Sequence, residues 1–157
     1  MSLGSQGAGV YGTALATNGA STGVYGKSAS PDGVGVAAEG SGSGGTALRV
    51  ANGAIRVTGA GANTATPAFA HVVTPSNTAP NSYYSVINNP YCNNDPNALL
   101  FVMPVETIGT NYFFSPPVSI FYDTGDFQIA TNRWVLDAGV DGPFYTGQRY
   151  NVLVLKP

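Results

Sequence analysis

The feature that most constrains the fold of this chain is an abrupt change of composition near Gly61. Sixteen of the 21 glycines lie in residues 1–61, whereas 15 of the 17 aromatic residues lie after them. Glycine-rich and aromatic-rich segments have different conformational freedom and different amounts of side chain to bury. We therefore predict a glycine-rich stem over residues 1–61, a connector over residues 62–67 and a head domain over residues 68–157.

An imperfect repeat runs through the predicted stem. The tetrapeptide Gly-Val-Tyr-Gly at residues 9–12 recurs at residues 23–26, and related glycine-led apolar units follow at residues 33–36, 45–50 and 53–57. Each unit has the alternating apolar residues of a short strand and is bounded by Gly, Ser or Asn turns. A short repeat of this kind is typical of a β-stem in which every unit forms one rung. A disordered Gly/Ser linker is the alternative.

The predicted stem has too small a core to fold as one chain. It contains twelve large apolar side chains, all Val, Leu, Ile or Tyr. Burying them cannot offset the conformational entropy lost by about 60 ordered residues, and isolated strands leave unpaired edges. Several copies wound around one axis would close the edges and share a core. We therefore predict a homo-oligomer, and by analogy with intertwined stems a trimer.

The head has the pattern of an all-β domain. Phe69, His71 and Val73 alternate with Ala70 and Val72, and no segment has a sustained 3.6-residue period. Seven short strands separated by Pro and Gly turns predict a β-sandwich or a jelly roll. The predicted strands are Phe69–Thr74, Ser82–Asn88, Ala98–Val105, Val118–Asp123, Phe127–Ala130, Arg133–Leu136 and Asn151–Leu155. The last strand is apolar on both faces, which favours a sandwich centre or a subunit interface.

Composition and charge exclude several functional classes. Charged residues make up 9% of the chain and the net charge is −2, so no basic surface for a nucleic acid is expected. No apolar run reaches the roughly 18 residues of a membrane span, so we predict no membrane insertion by this chain.

Three motifs that resemble catalytic signatures have simpler explanations. The Gly-X-Gly-X-X-Gly pattern at residues 7–12 belongs to the repeat and has no following helix to receive a pyrophosphate. Asp123-Thr124-Gly125 resembles an aspartic-protease tripeptide, but we predict a hairpin turn there between residues 118–122 and 127–130. His71 and Cys92 are the only residues of their types and lack an evident orienting acid. We predict that the chain is not an enzyme.

One loop is the best candidate for ligand binding. Asn93-Asn94-Asp95-Pro96-Asn97 is the densest cluster of oxygen-bearing side chains, and such groups bind Ca²⁺, although a tight turn uses the same residues. Trp134 could stack on a sugar ring or lie in the core. The candidate ligand-binding residues are Asn93, Asp95, Asn97 and Trp134. No cofactor is predicted, and calcium is left open.

The residues also carry a resemblance to a known class of proteins. The Gly-Val-Tyr-Gly units and the segment of residues 45–57 resemble the repeats of bacterial and phage surface fibres. From Phe69-Ala70-His71 onward the chain is similar to an uncharacterised bacterial C-terminal domain that follows such repeats. The matching pieces are Asn88-Asn89-Pro90, Asn94-Asp95-Pro96-Asn97-Ala98, Arg133-Trp134-Val135 and Tyr150-Asn151-Val152-Leu153-Val154.

This resemblance implies an extracellular, cell-surface or virion fibre and no catalytic residues. The predicted function is that of a structural or adhesive fibre tip whose oligomeric stem displays the head for multivalent attachment to a surface target, such as a glycan. A lectin-like carbohydrate-binding module, with or without calcium, is the alternative. A polysaccharide-degrading enzyme comes third, because it would need two carboxylates facing each other in a cleft and the chain has only eight acidic residues.

Overall fold

The structure is a computed structural model of the chain, and it describes residues 10–30, 32–41, 43–59, 61–105, 118–139 and 142–157. The chain divides into two compact units, Met1–Ala54 and Ile55–Pro157. Every regular element in the described ranges is a β-strand, which confirms the predicted all-β class. No helix that is long and apolar enough to cross a bilayer occurs in them.

Six strands form two small antiparallel sheets in the described residues of the second unit. In chain order the strands are β1 (Ala68–Val72), β2 (Tyr84–Ile87), β3 (Leu99–Val105), β4 (Ser119–Asp123), β5 (Arg133–Asp137) and β6 (Arg149–Leu155). One sheet has the order β1-β6-β3 and the other the order β2-β5-β4. The C-terminal strand β6 is therefore central, with Val152 opposite both Phe69 of β1 and Val102 of β3.

Both sheets contribute side chains to one hydrophobic core. Phe69, Val152 and Val154 come from the first sheet, whereas Ile87 and Leu136 come from the second. These residues are almost completely buried. Alternation along β1, β2 and β6 turns their inward residues to the same side, whereas in β5 the adjacent Val135 and Leu136 are both buried. The predicted common face of Phe69, His71 and Val73 is confirmed, since all three side chains are buried. Two sheets that share a core are compatible with the predicted β-sandwich.

One of the seven predicted strands is absent. Phe127–Ala130 is a loop, and the predicted hairpin between residues 118–122 and 127–130 is wrong, because β4 pairs instead with β5. The backbone N–H groups of Phe127, Ile129 and Ala130 donate to the carboxylate of Asp123. They are therefore unavailable for the ladder of hydrogen bonds that a strand needs.

The predicted connector packs against the head. Ala62 forms an isolated bridge with Ala70, and the side-chain amide of Asn89 donates to the carbonyl oxygens of Thr64 and Thr66 at 2.9 and 3.1 Å. Asn89 is itself buried, so these bonds are shielded from water. The segment before β1 is thus fixed both by backbone hydrogen bonds to Ala70 and by the Asn89 amide.

The first unit, Met1–Ala54, differs from the second in its secondary structure. Its described residues, 10–30, 32–41 and 43–54, contain no strand, so the β-repeat stem is not shown and its rungs stay a prediction. The backbones of neighbouring repeat units nevertheless approach closely. A β-carbon placed on Gly12 would overlap the carbonyl oxygen of Gly23, and one on Gly26 would overlap that of Gly35. Glycine at these positions therefore permits contact between successive units.

Candidate functional site

The asparagine-rich loop after β2 is held together by its own side chains. Asn93 accepts a hydrogen bond from the backbone N–H of Asn89 at 3.0 Å and donates its amide to the side-chain oxygen of Asn88 at 2.8 Å. Asn94 adopts a left-handed conformation with φ of 57°, and its N–H donates to the carbonyl of Asn132. These contacts are those of a tight turn that is tied to the segment before β5.

Asp95 and Trp134 are brought together by the fold. The indole Nε1 of Trp134 donates to the backbone oxygen of Asp95 at 3.1 Å, and its ring contacts Tyr122 edge-on at a centroid distance of 5.5 Å. The Asp95 carboxylate accepts from the N–H of Asn97 at 3.1 Å and pairs with Lys156 at 3.6 Å. Trp134 is partly buried against the core.

Three of the four candidate side chains thus have structural partners. Asn97 remains exposed beside them, whereas the polar groups of Asn93, Asp95 and Trp134 take part in the contacts above. No group of three or more His, Cys, Asp or Glu side chains in the described part of the chain could hold a metal ion. The role of the four candidate residues in ligand or calcium binding remains a prediction.

His71 and Cys92 are both held in their neutral forms. Burial lowers the pKa of His71 to about 4. Its Nε2 lies 2.8 Å from the hydroxyl oxygen of Ser85, which is also 3.4 Å from the side-chain oxygen of Asn77. Burial raises the pKa of the Cys92 thiol to about 11. The pKa shifts of His71 and Cys92 are opposite in direction to those in a thiolate–imidazolium pair, in which the thiol pKa is lowered.

Asp123 organises the loop between β4 and β5. One carboxylate oxygen accepts from the N–H groups of Gly125 and Phe127, at 2.8 and 3.3 Å. The other accepts from those of Ile129 and Ala130, at 3.2 and 2.9 Å. Burial would raise the pKa of Asp123, but these four bonds to the charged form lower it below its ordinary value of 3.8. The aspartate is therefore a structural anion at the centre of a loop.

The loop built by Asp123 forms one wall of a polar groove, which we define by residues 76–81, Tyr84, Val86 and residues 127–129. Its volume is about 490 Å³, and none of these lining residues is charged. Phe127 is 67% exposed and contacts Phe121 edge-on at 5.3 Å, which in turn contacts Tyr84 at 6.1 Å. Gln128 beside it has a φ of 57°, a conformation that residues other than glycine seldom adopt.

A second surface lies on the outer side of the β1-β6-β3 sheet. We call it the apolar face and define it by Leu99, Phe101, Met103, Leu153 and Leu155, whose exposure ranges from 40% to 62%. Phe101 lies opposite Leu153, and Leu99 lies opposite Leu155, so the side chains form neighbouring rows. A hollow of about 610 Å³ beside them is also lined by Ile55 and Val57.

Sequence reasoning missed Asn89, the polar groove and the loop role of Asp123. The run of Asn, Ser and Thr at residues 76–81 was the only sequence signal of the groove, and it is equally typical of a turn. The two apolar faces of β6 were visible in the sequence. Their alternation did not reveal which face would be buried within the head.

An all-β domain of two three-stranded antiparallel sheets, with the core between them, is the class of protein that these observations define. The chain belongs to the family described as a domain of unknown function, DUF7452, which matches residues 54–154. The match covers nearly all of the second compact unit. No match was found among curated proteins or among solved structures.

Proposed function

We propose that this chain is a structural module of an extracellular fibre, in which several copies form a glycine-rich β-repeat stem and display their heads for multivalent attachment. The observation that carries the proposal is the exposure of the apolar side chains in the repeats. Val10, Tyr11, Leu15 and Tyr25 are each at least 78% exposed in the single chain. Large apolar residues at regular positions on a surface mark a site of association.

The backbone of the repeats supports the same proposal. Extended segments satisfy their N–H and C=O groups by pairing with another strand, and the first unit of a single chain contains no such pairing in its described residues. Close packing at Gly12–Gly23 and Gly26–Gly35 brings successive units together without covering their apolar side chains. Other copies of the chain would supply both the missing strands and the missing core. By analogy with intertwined fibre stems, we expect the assembly to be a trimer.

Attachment through several heads increases the strength of binding without any new contact. When one head is bound, the others are held near the same target surface, so weak individual contacts add to a high avidity. The resemblance of the repeats to those of bacterial and phage fibres supports a cell-surface or virion location. No catalytic step is part of this proposal.

The solution mass of the whole chain tests the proposal. By light scattering we expect about three times 16.0 kDa. Val24→Asp places a charge among the repeats and should reduce the assembled fraction. Tyr91→Asp, which alters an exposed side chain of the head, is the matched control and should leave the mass unchanged. A monomer at every accessible concentration would refute the proposed assembly.

The polar groove favours carbohydrate binding as a second candidate function of the head. Sugars offer apolar C–H faces and many hydroxyl groups, and the groove combines the exposed ring of Phe127 with the amides of Asn81 and Gln128. Its volume lies in the range of small-molecule sites, about 300–1,000 Å³. A neutral oligosaccharide is therefore the class of ligand that this surface fits best.

Titration with neutral hexasaccharides tests this second function. With cellohexaose, maltohexaose and chitohexaose as probes, we expect at least one to shift the backbone amide resonances of Asn81 and Gln128. Phe127→Ala should abolish the shifts, whereas Tyr91→Ala should preserve them, because Tyr91 is exposed outside the groove. Shifts that persist in Phe127→Ala, or no shifts with any probe, would contradict carbohydrate binding in the groove.

A further inference from the structure

We propose that the apolar face of the β1-β6-β3 sheet is the surface through which the head contacts a second copy of this chain. The inference rests on the homo-oligomer of the proposed function and assigns the subunit contact of its heads. In this arrangement the heads contact one another, in addition to the contacts between the stems.

The chemistry of the face is the reverse of that expected for a sheet exposed to water. In a sheet with one solvated face, the outward residues are mostly polar. Here the outward positions of β3 are Leu99, Phe101 and Met103, and those of β6 include Leu153 and Leu155. The inward positions of β6, Tyr150, Val152 and Val154, are also apolar and already form the core. The sheet therefore has two apolar faces, and the described residues of a single chain cover only one of them.

Charge is almost absent from this surface. The outward neighbours on β1 are Ala68 and Ala70, which lie opposite Leu153 and Asn151. Arg149, at the end of β6, is the one charged residue in the three strands. Such a surface has no charge pattern with which to select an unlike partner, whereas it can pack against an identical apolar face.

The apolar face is large enough for a contact between heads if the copies are also joined through their repeats. Five large side chains that are about half exposed present on the order of 500 Å² of apolar surface. A stable interface needs about 800 Å² from each partner, so this face alone would support only weak association. Ile55 and Val57, which line the neighbouring hollow, belong to the last glycine-led unit of the repeats. Copies joined through those repeats would hold their heads at a high effective concentration, which makes a smaller contact sufficient.

The backbone favours contact through the face rather than through the edge of the sheet. Among the described strands β3 lies at the edge of its sheet, and its Pro104 has no N–H group to donate to a further strand. Continuous pairing of β3 with a strand of another copy is therefore interrupted. Side-chain packing between the faces requires no such hydrogen bonds.

Thiol labelling of the whole assembled chain tests the proposal. Cys92 is buried and does not compete, so single cysteines can be introduced as reporters. Met103→Cys and Leu153→Cys place a thiol on the face, whereas Phe127→Cys places one on the groove loop as the control. Met103 and Phe127 are 62% and 67% exposed in the single chain and would label at similar rates there. In the assembly we expect both face thiols to react with a maleimide on the order of tenfold more slowly than the control.

Mass measurements on the same samples separate the possible outcomes. An oligomer in which all three thiols react equally would overturn this inference and leave the proposed stem assembly intact. A monomer with equal labelling would overturn both. Protection of the face thiols in a monomer would also refute the inference, because the chain's own residues would then cover the face. As an independent variant, Phe101→Asp should lower the assembly's midpoint of dissociation in urea, whereas Tyr91→Asp should not.

Discussion

Replacement of Asp123 by alanine is expected to destabilise the head by about 3 kcal/mol, because hydrogen bonds to a charged group contribute about 1.5–3 kcal/mol each and some of the freed groups will reach water. Four backbone N–H groups of the loop, those of Gly125, Phe127, Ile129 and Ala130, would lose their acceptor. Urea unfolding monitored by Trp134 fluorescence measures the change in the free energy of unfolding.

A milder variant and a control separate this effect from a simple loss of charge. In Asp123→Asn one of the two oxygens becomes an NH₂ group, which repels the two N–H donors that faced it, so we expect about two thirds of the alanine effect. Asp137→Asn is the matched control, because Asp137 accepts a single bond, from the N–H of Gly139 at 2.8 Å. Equal destabilisation by the Asp123 and Asp137 variants would contradict the assigned role of Asp123.

The stability of the head should fall by about 3 kcal/mol between pH 7 and pH 4 because of His71 alone. Burial lowers the pKa of His71 to about 4, whereas the unfolded chain takes up this proton near the ordinary value of 6.5. Above pH 6.5 the imidazole is neutral in both states and the folded state keeps its full stability. Between these two values only the unfolded state binds the proton, so stability is lost as the pH falls. Below pH 4 both states are protonated and the loss levels off.

His71→Gln removes this titration while keeping a polar side chain near Ser85. Its stability should be lower at pH 7, because the packing changes, but nearly constant between pH 7 and pH 4.5. The contribution of Asp123 lies in a separate window, since its pKa is lowered: it is complete above 3.8 and disappears as the pH falls below that value. A wild-type head with no loss of stability between pH 6.5 and pH 4.5 would refute the buried neutral state of His71.

Several parts of the candidate sites were predictable from sequence and others were not. The alternation in Phe69–Val73 and in β6 identified strands and their inward residues, because period-two placement is a local property of extended backbone. The loop at residues 93–97 was predicted as a turn or a ligand site, and its Asn and Asp side chains do form turn bonds. The bond from Trp134 to Asp95 joins residues far apart in the chain, which no local pattern could indicate.

The wrongly predicted strand at residues 127–130 also results from a contact that its local sequence pattern does not indicate. Phe127 and Ile129 alternate with polar or small residues as in a strand, but the carboxylate of Asp123 binds the backbone groups that would have formed the ladder. A propensity for extended structure is weak compared with four hydrogen bonds to one buried anion.

By itself the sequence determined that the glycine-rich repeats and the aromatic-rich part differ, that the regular elements are strands, and which residues of those strands lie on a common face. These are consequences of composition and of local periodicity. The tertiary structure decided which apolar face of β6 is buried, where Trp134 and Asp123 find their partners, and which apolar side chains remain exposed. Burial and hydrogen-bond partners depend on segments distant in the chain, so they are fixed only when the two sheets pack.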